Sequence, residues 1–230
     1  MRPRLEVPYN PLDKPHLAES VVAALLGRDL EPLPPDVTFL GAGIYAIYYT
    51  GDFPAYSPIA AQNRRGRYAQ PIYVGKATPP GGRRGGIGEG PVESATIYGR
   101  LRQHAASIEQ AGNLDLTDFA CRYLVLDDVW ISLGENLLIE RFRPLWNVVV
   151  DGFGNHTPGR GRLGQRRSAW DVLHPGRAWA QLVQPHGLTE AALRDRIAAF
   201  LDPPAPVEPQ RRPPRPTTLP LFAQDNGGVV

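Results

Sequence analysis

The chain of 230 residues contains one cysteine, one methionine and only two lysines, Lys14 and Lys76. A lone thiol, Cys121, excludes an intramolecular disulfide and any four-cysteine zinc framework, and such sparse cysteine fits a reducing cytoplasm. No run approaches the roughly 20 uncharged apolar residues that span a bilayer. The opening MRPRLEVPYNPLDKPH also lacks an apolar signal core, so neither a secreted nor a membrane protein is expected. Large charge of one sign is missing too: the net charge is +2 and the pI about 8.8, too mild to announce a nucleic-acid partner by itself.

The way that charge is built says more. Of 25 Lys and Arg two are Lys, which leaves 23 Arg. A GC-rich genome would produce this excess together with the 24 Gly and 25 Pro. Planar guanidinium forks also suit phosphates and guanine edges. Position favours the second reading: Arg64, Arg65, Arg67, Arg83, Arg84, Arg160, Arg162, Arg166 and Arg167 sit in Gly-rich, weakly patterned segments, whereas a solvated helix face would intersperse acids. These nine are the candidate DNA-contacting residues.

Hydrophobic periodicity divides the chain into an N-terminal arm and helix over 1–40, a core over 41–150, an extension over 151–201 that packs on it, and a Pro-rich tail over 202–230 expected to be disordered. The arm carries a helix from about Pro15 to Gly27, and EPLPPDV follows as a linker. LGAGIYAIYYTGD reads as a strand entering a turn, and QPIYVGKA as a second strand after a polar insertion from Asp52 to Ala69. Residues 77–95, dominated by Gly, Pro and Arg, read as a loop. IYGRLRQHAASIEQAG predicts an amphipathic helix, FACRYLVLDD a third strand, and WISLGENLLIERF a helix that Pro144 terminates. After a Gly/Arg loop ending at Arg167 come SAWDVLHPGRAWAQLV and a helix near Thr189 to Leu201.

Gly41, Gly43 and Ala46 fit a GxGxxA pattern, but a dinucleotide-binding turn needs the glycines to follow a strand and open a helix. Here they precede the strand. GGRRGGIGEG is no phosphate loop either, since no Gly-Lys-Ser/Thr follows.

Five features recur in order: GIY at Gly43 to Tyr45, YVG at Tyr73 to Gly75 followed by Lys76, Arg100 and His104 one helical turn apart, Glu135 opening ENLLIERFRPLWN, and Asn147 closing it. The series resembles the GIY-YIG nuclease superfamily over roughly Gly41 to Asn147. That resemblance implies an α+β fold: a small antiparallel sheet flanked by helices, here with an N-terminal helical arm, long inserted loops and the C-terminal tail. In related nucleases the ligating Glu lies twelve residues before the Asn, which selects Glu135 over Glu140. Glu140 is then expected on the solvent face with Arg141 or Arg143.

Phosphodiester hydrolysis needs a deprotonated nucleophile, neutralisation of charge growing on the phosphate and help for the leaving oxygen. Glu135 offers a hard carboxylate oxygen to one Mg²⁺, for which Mn²⁺ can substitute, and a single carboxylate suits a metal that keeps waters and borrows phosphate oxygens. Arg100 is placed to donate a fork to the scissile phosphate. The resemblance implies that Tyr45 takes a proton from the attacking water while Tyr73 helps position it. With an ordinary pKa of about 10, Tyr45 needs cations that favour the phenolate, and Lys76 and Arg100 are the candidates. His104 is the competing base. Asn147 would hold the Glu135 region or a water, or else terminate a helix as a polar residue.

The spacing of 28 residues from Tyr45 to Tyr73, and of 27 from Tyr73 to Arg100, leaves room for Arg- and Gly-rich loops. With no separate DNA-binding module evident, those loops must read the DNA. This pattern, with DGFGNH and SAWDVLHPGRAWA, resembles the type II restriction endonucleases of the superfamily. The resemblance implies cleavage of double-stranded DNA at a short palindrome by a homodimer, with a DNA methyltransferase as genetic partner. The Arg-rich loops favour a GC-rich site. The alternatives are a structure-specific repair or mobile-element nuclease on the same fold, and a catalytically silent DNA-binding module.

Overall fold

A computed structural model of the protein describes residues 10, 12–79, 94–155 and 164–202. Four strands form one sheet: β1 (Glu31–Pro32), β2 (Gly43–Tyr49), β3 (Tyr73–Ala77) and β4 (Phe119–Val125), in the order β1-β4-β2-β3 with antiparallel neighbours. Seven α-helices are present among the described residues: α1 (Lys14–Leu26), α2 (Ser57–Asn63), α3 (Thr96–Gln110), α4 (Asp128–Phe142), α5 (Leu145–Val148), α6 (Ala169–Leu173) and α7 (Glu190–Leu201). The architecture is α+β.

The central strand β2 dictates the layering. GIYAIYY is rich in the β-branched and aromatic residues that suit a pleated surface, and all seven residues are buried. Because strand side chains alternate, Tyr45, Ile47 and Tyr49 face one layer and Ile44, Ala46 and Tyr48 the other. The first layer contains Ile97, Leu101 and Ile108 of α3 together with Trp170, Leu173, Leu193 and Ile197. The second contains Leu25 of α1 and Ile131 and Leu138 of α4. Burying each such aliphatic side chain contributes about 1.5–3 kcal/mol.

Local signals explain the helix boundaries. Pro15 occupies the first turn of α1, where its missing N–H costs nothing. Helix α4 stops at Arg143, in the left-handed conformation (φ 45°), and Pro144 follows. Ser168 and Thr189 cap α6 and α7 by accepting from the N–H of Asp171 and Ala192.

Two segments differ from the sequence reading. The linker EPLPPDV supplies β1, because Glu31 and Pro32 lie against Cys121 and Ala120 of β4. The polar insertion Asp52 to Ala69 contains a 3₁₀ turn at Pro54–Tyr56 and helix α2. Its anchors, Tyr56, Ile59 and Ala60, are buried in the α3 layer. Apart from Asp202, the tail lies outside the described residues.

A buried polar chain ties this insertion to the extension. The Tyr56 hydroxyl lies 2.6 Å from His174 Nε2, and His174 Nδ1 lies 2.9 Å from Asn113 Oδ1. The Asn113 amide in turn donates to the Leu173 carbonyl, which leaves Oδ1 as acceptor and assigns the imidazole proton to Nδ1. Burial, with a smaller push from Arg194, lowers the His174 pKa from 6.5 to about 3. Between these values the unfolded chain binds a proton that the folded chain refuses, so stability falls as pH drops through this window, by about 5 kcal/mol in all. The urea midpoint of the wild type should therefore fall more steeply from pH 6.5 to pH 4 than that of His174→Gln, and parallel slopes would refute the assignment.

Candidate active site

Strand β3 is the free edge of the sheet, and the candidate residues wrap around it. Opposite Ile47 and Ile44 respectively, Tyr73 and Lys76 emerge on different faces. Tyr73 meets the α3 side, where Tyr45, Arg100 and His104 gather, and Lys76 meets Glu135 on α4. Between them opens a cleft of about 370 Å³ lined by Tyr73, Lys76, Ala77, Thr78, Thr96, Arg100 and Glu135. A β-carbon at Gly75 would lie 2.5 Å from the Tyr45 hydroxyl, so only glycine lets that ring lie across β3. The glycine that ends the second tripeptide is thus a steric requirement of the Tyr45 ring opposite it.

On one wall Lys76 Nζ lies 2.7 Å from Glu135 Oε2 and donates weakly to Ser132 Oγ at 3.4 Å. Ser132 stands one turn before Glu135, so both act from the same face of α4. Among the described residues no group of three or more His, Cys, Asp or Glu could form a protein cage for a metal. One carboxylate open to a polar cleft fits Mg²⁺, which satisfies most of its octahedron with water and substrate oxygens. Glu135 would hold it.

On the other wall the Tyr45 hydroxyl lies 2.7 Å from His104 Nε2, and both side chains are buried. The expectation that Lys76 and Arg100 favour a Tyr45 phenolate is corrected here. Burial pushes the Tyr45 pKa far up and neighbouring Tyr73 raises it further; the Arg100 guanidinium opposes this and is outweighed. Lys76 is engaged with Glu135 instead. Burial also raises the Tyr73 pKa, again against Arg100. Tyr45 is therefore a neutral hydroxyl sitting behind Tyr73, which lines the cleft, and it shares a hydrogen bond with His104 Nε2.

Asn147, on α5, does not touch Glu135. Its Oδ1 accepts from the Val74 N–H and its Nδ2 donates to the Val74 carbonyl, both at 2.8 Å. The side-chain amide thus satisfies the outward backbone groups of Val74 on β3. Glu140 pairs with Lys14 on α1 at 2.7 Å rather than with Arg141 or Arg143.

Of the nine candidate DNA-contacting arginines, Arg83, Arg84, Arg160 and Arg162 lie outside the described residues. Arg64 donates to the Thr50 and Gly51 carbonyls and pairs with Asp52. Arg67 reaches the Ala61 carbonyl, and Arg167 the Ala180 carbonyl at 2.9 Å. Each spends guanidinium N–H groups on its own chain. Arg65 is exposed with φ 61°, and Arg166 bridges to Gln184.

Sequence reasoning missed Thr78, Thr96, Ser132 and the loop 151–155. Phe153 stacks on His104 with ring centroids 4.5 Å apart and meets Tyr73 edge-on at 5.0 Å. The motif DGFGNH was visible, but nothing in a single sequence shows which ring it covers.

Residues 37–201 match the family model described as the Eco29kI GIY-YIG domain. The chain belongs to this family. No curated protein matches the chain significantly. As an Eco29kI-type GIY-YIG protein it is an endonuclease of restriction type, and DNA is its binding partner. No described helix is long and apolar enough to cross a membrane.

In this GIY-YIG nuclease the Asn147 amide is predicted to support the cleft through the sheet edge. Asn147→Ala should cost about 2 kcal/mol in urea denaturation, the order expected for two hydrogen bonds to partly buried backbone groups. Val148→Ala, at an exposed neighbour, should change little. Equal effects would show that the edge does not depend on the amide.

Proposed function

We propose that the protein is a Mg²⁺-dependent type II restriction endonuclease that acts in the cytoplasm and cuts both strands of a short, GC-rich palindrome as a homodimer on DNA. The observation that carries this reading is the convergence of one carboxylate, one ammonium, one guanidinium and a buried tyrosine–histidine pair around a single polar cleft. A cognate DNA methyltransferase is the expected genetic partner, since unprotected host DNA would otherwise be cut.

Glu135 holds the metal, which supplies Lewis-acid neutralisation at the phosphate and for which Mn²⁺ can substitute. Lys76 balances the Glu135 carboxylate before substrate arrives and is close enough to meet a phosphate oxygen afterwards. Arg100 donates to the scissile phosphate with charge-assisted bonds. Tyr73, at the cleft wall, orients the attacking water. The water's proton passes through the Tyr73 hydroxyl to the Tyr45 oxygen as the Tyr45 proton passes to His104 Nε2, so no free phenolate has to form. This concerted transfer reconciles the two candidate bases: they are consecutive members of one relay.

Purified protein with Mg²⁺ should cut plasmid DNA into discrete bands and with EDTA should not. A smear would exclude site specificity, and cutting confined to flaps or junctions would establish the structure-specific alternative. Glu135→Ala should abolish cleavage while leaving DNA binding in a gel shift nearly intact. Glu140→Ala should leave both unchanged, because an exposed ion pair contributes at most about 1 kcal/mol. Loss of cleavage without loss of binding in the wild type would mark a silent module.

The relay makes its own prediction. Tyr45→Phe keeps the ring and removes the bridging oxygen, so kcat should fall by about 10²–10⁴. His104→Ala should fall comparably, and the double variant should be no slower than the slower single variant, as expected for groups acting as a unit. Additive losses, or near-normal activity in Tyr45→Phe, would disprove the relay.

A further inference from the structure

Arg177 is 2% exposed, lies 22 or more residues beyond the loop it touches, and belongs to no part of the site described so far. Its Nε donates to Asp171 Oδ1 at 2.6 Å. Its Nη1 donates to the carbonyls of Phe153 (3.2 Å) and Asn155 (3.1 Å), and its Nη2 to that of Gly152 (2.9 Å). Four of five guanidinium N–H groups are thereby accounted for. The guanidinium also lies over the rings of Trp170 and Trp179, 4.5 and 4.8 Å from their centroids. Asp171 is held in turn by Ser168 Oγ.

The fixed loop is the one that roofs the tyrosine–histidine pair. Phe153 stacks on His104 with an interplanar angle of 18°. At Gly154 a β-carbon would lie 2.9 Å from the Tyr73 hydroxyl and within 4 Å of Arg100 and His104, so the loop backbone itself touches the site. A buried ion pair is seldom the most stabilising way to fill a core. A planar fork that gathers three carbonyls of one tight loop is, however, something no apolar side chain can replace.

From this geometry we propose that Arg177 is a positioning residue of the active site: with Asp171 it locks the loop 151–155 so that Phe153 and Gly154 hold the His104 ring and the Tyr73 hydroxyl in register. The inference rests on the nuclease reading for its kinetic consequence, though not for its structural one. A misplacement of about 1 Å in a reacting group costs on the order of 10²-fold in rate. Arg177→Lys keeps the charge and can satisfy only part of the cluster.

Two measurements on full-length protein test this. In folded Arg177→Lys, the His104 Cε1 proton resonance, shielded by the stacked Phe153 ring, should move downfield. With Mg²⁺ and plasmid DNA, kcat should fall by about 10²-fold while KM and DNA affinity stay at wild-type values. A purely structural Arg177 would lower the melting temperature and leave both the His104 signal and kcat unmoved, and that outcome overturns the proposal. Should Arg177→Lys not fold, Trp179→Leu, which loosens the guanidinium from outside, is judged on the same two readouts. If the wild type fails to cut DNA, the nuclease reading falls, and the His104 signal alone decides the tether.

Discussion

The cleft depends on β3 being an edge strand in which the outward backbone groups of Val74 are satisfied without a neighbouring strand. A central strand could not offer Tyr73 to one layer and Lys76 to the other with open space between them. An edge left bare would expose unpaired backbone groups beside the substrate. Asn147 resolves this by presenting one donor and one acceptor to Val74, in the manner of a single residue of a missing strand. The wall that carries Lys76 with Glu135 and the wall that carries Tyr45 with His104 are consequently brought together around one backbone, and both share a common rigid support.

The two walls follow opposite electrostatic rules. On the α4 side charges are partly solvated and mutually neutralised, as in Lys76 with Glu135. On the α3 side burial outweighs the nearby Arg100, and both tyrosines stay protonated. A second tyrosine–histidine contact, Tyr56 with His174, has nearly the same separation as Tyr45 with His104, 2.6 against 2.7 Å. Yet it is sealed in the core with Asn113 and serves cohesion. What distinguishes the pair at the cleft is its neighbours, Tyr73 and Arg100 on one side and a roofing loop on the other.

Much of this arrangement was legible in the sequence because periodicity and motif spacing report on backbone geometry. Tyr45, Tyr73, Lys76, Arg100, His104 and Glu135 converge from four elements whose type the hydrophobic pattern had already indicated. Partnership was not legible in the same way. Asn147 bonds a backbone 73 positions away, Lys76 finds Glu135 from another element, and Arg64 folds back onto the Thr50 and Gly51 carbonyls, 14 and 13 positions earlier. Such pairings depend on tertiary placement, which leaves no repeat in the chain. Helix α2 was hidden for a different reason: SPIAAQN is too short to show a helical period. Arg177 was hidden because its acceptors are mostly carbonyls, which every residue possesses.

The sheet is closed to growth at both ends. At β3 the cleft and the Asn147 amide occupy the positions an added strand would need. At the other end β1 is two residues long and finishes in Pro32, which has no N–H to donate. Among the described residues, then, neither edge of the sheet invites a strand from a second copy, and the surfaces left for a partner are those of helices and loops. The cleft beside β3 is thereby kept clear of sheet-to-sheet contact and stays open along its length.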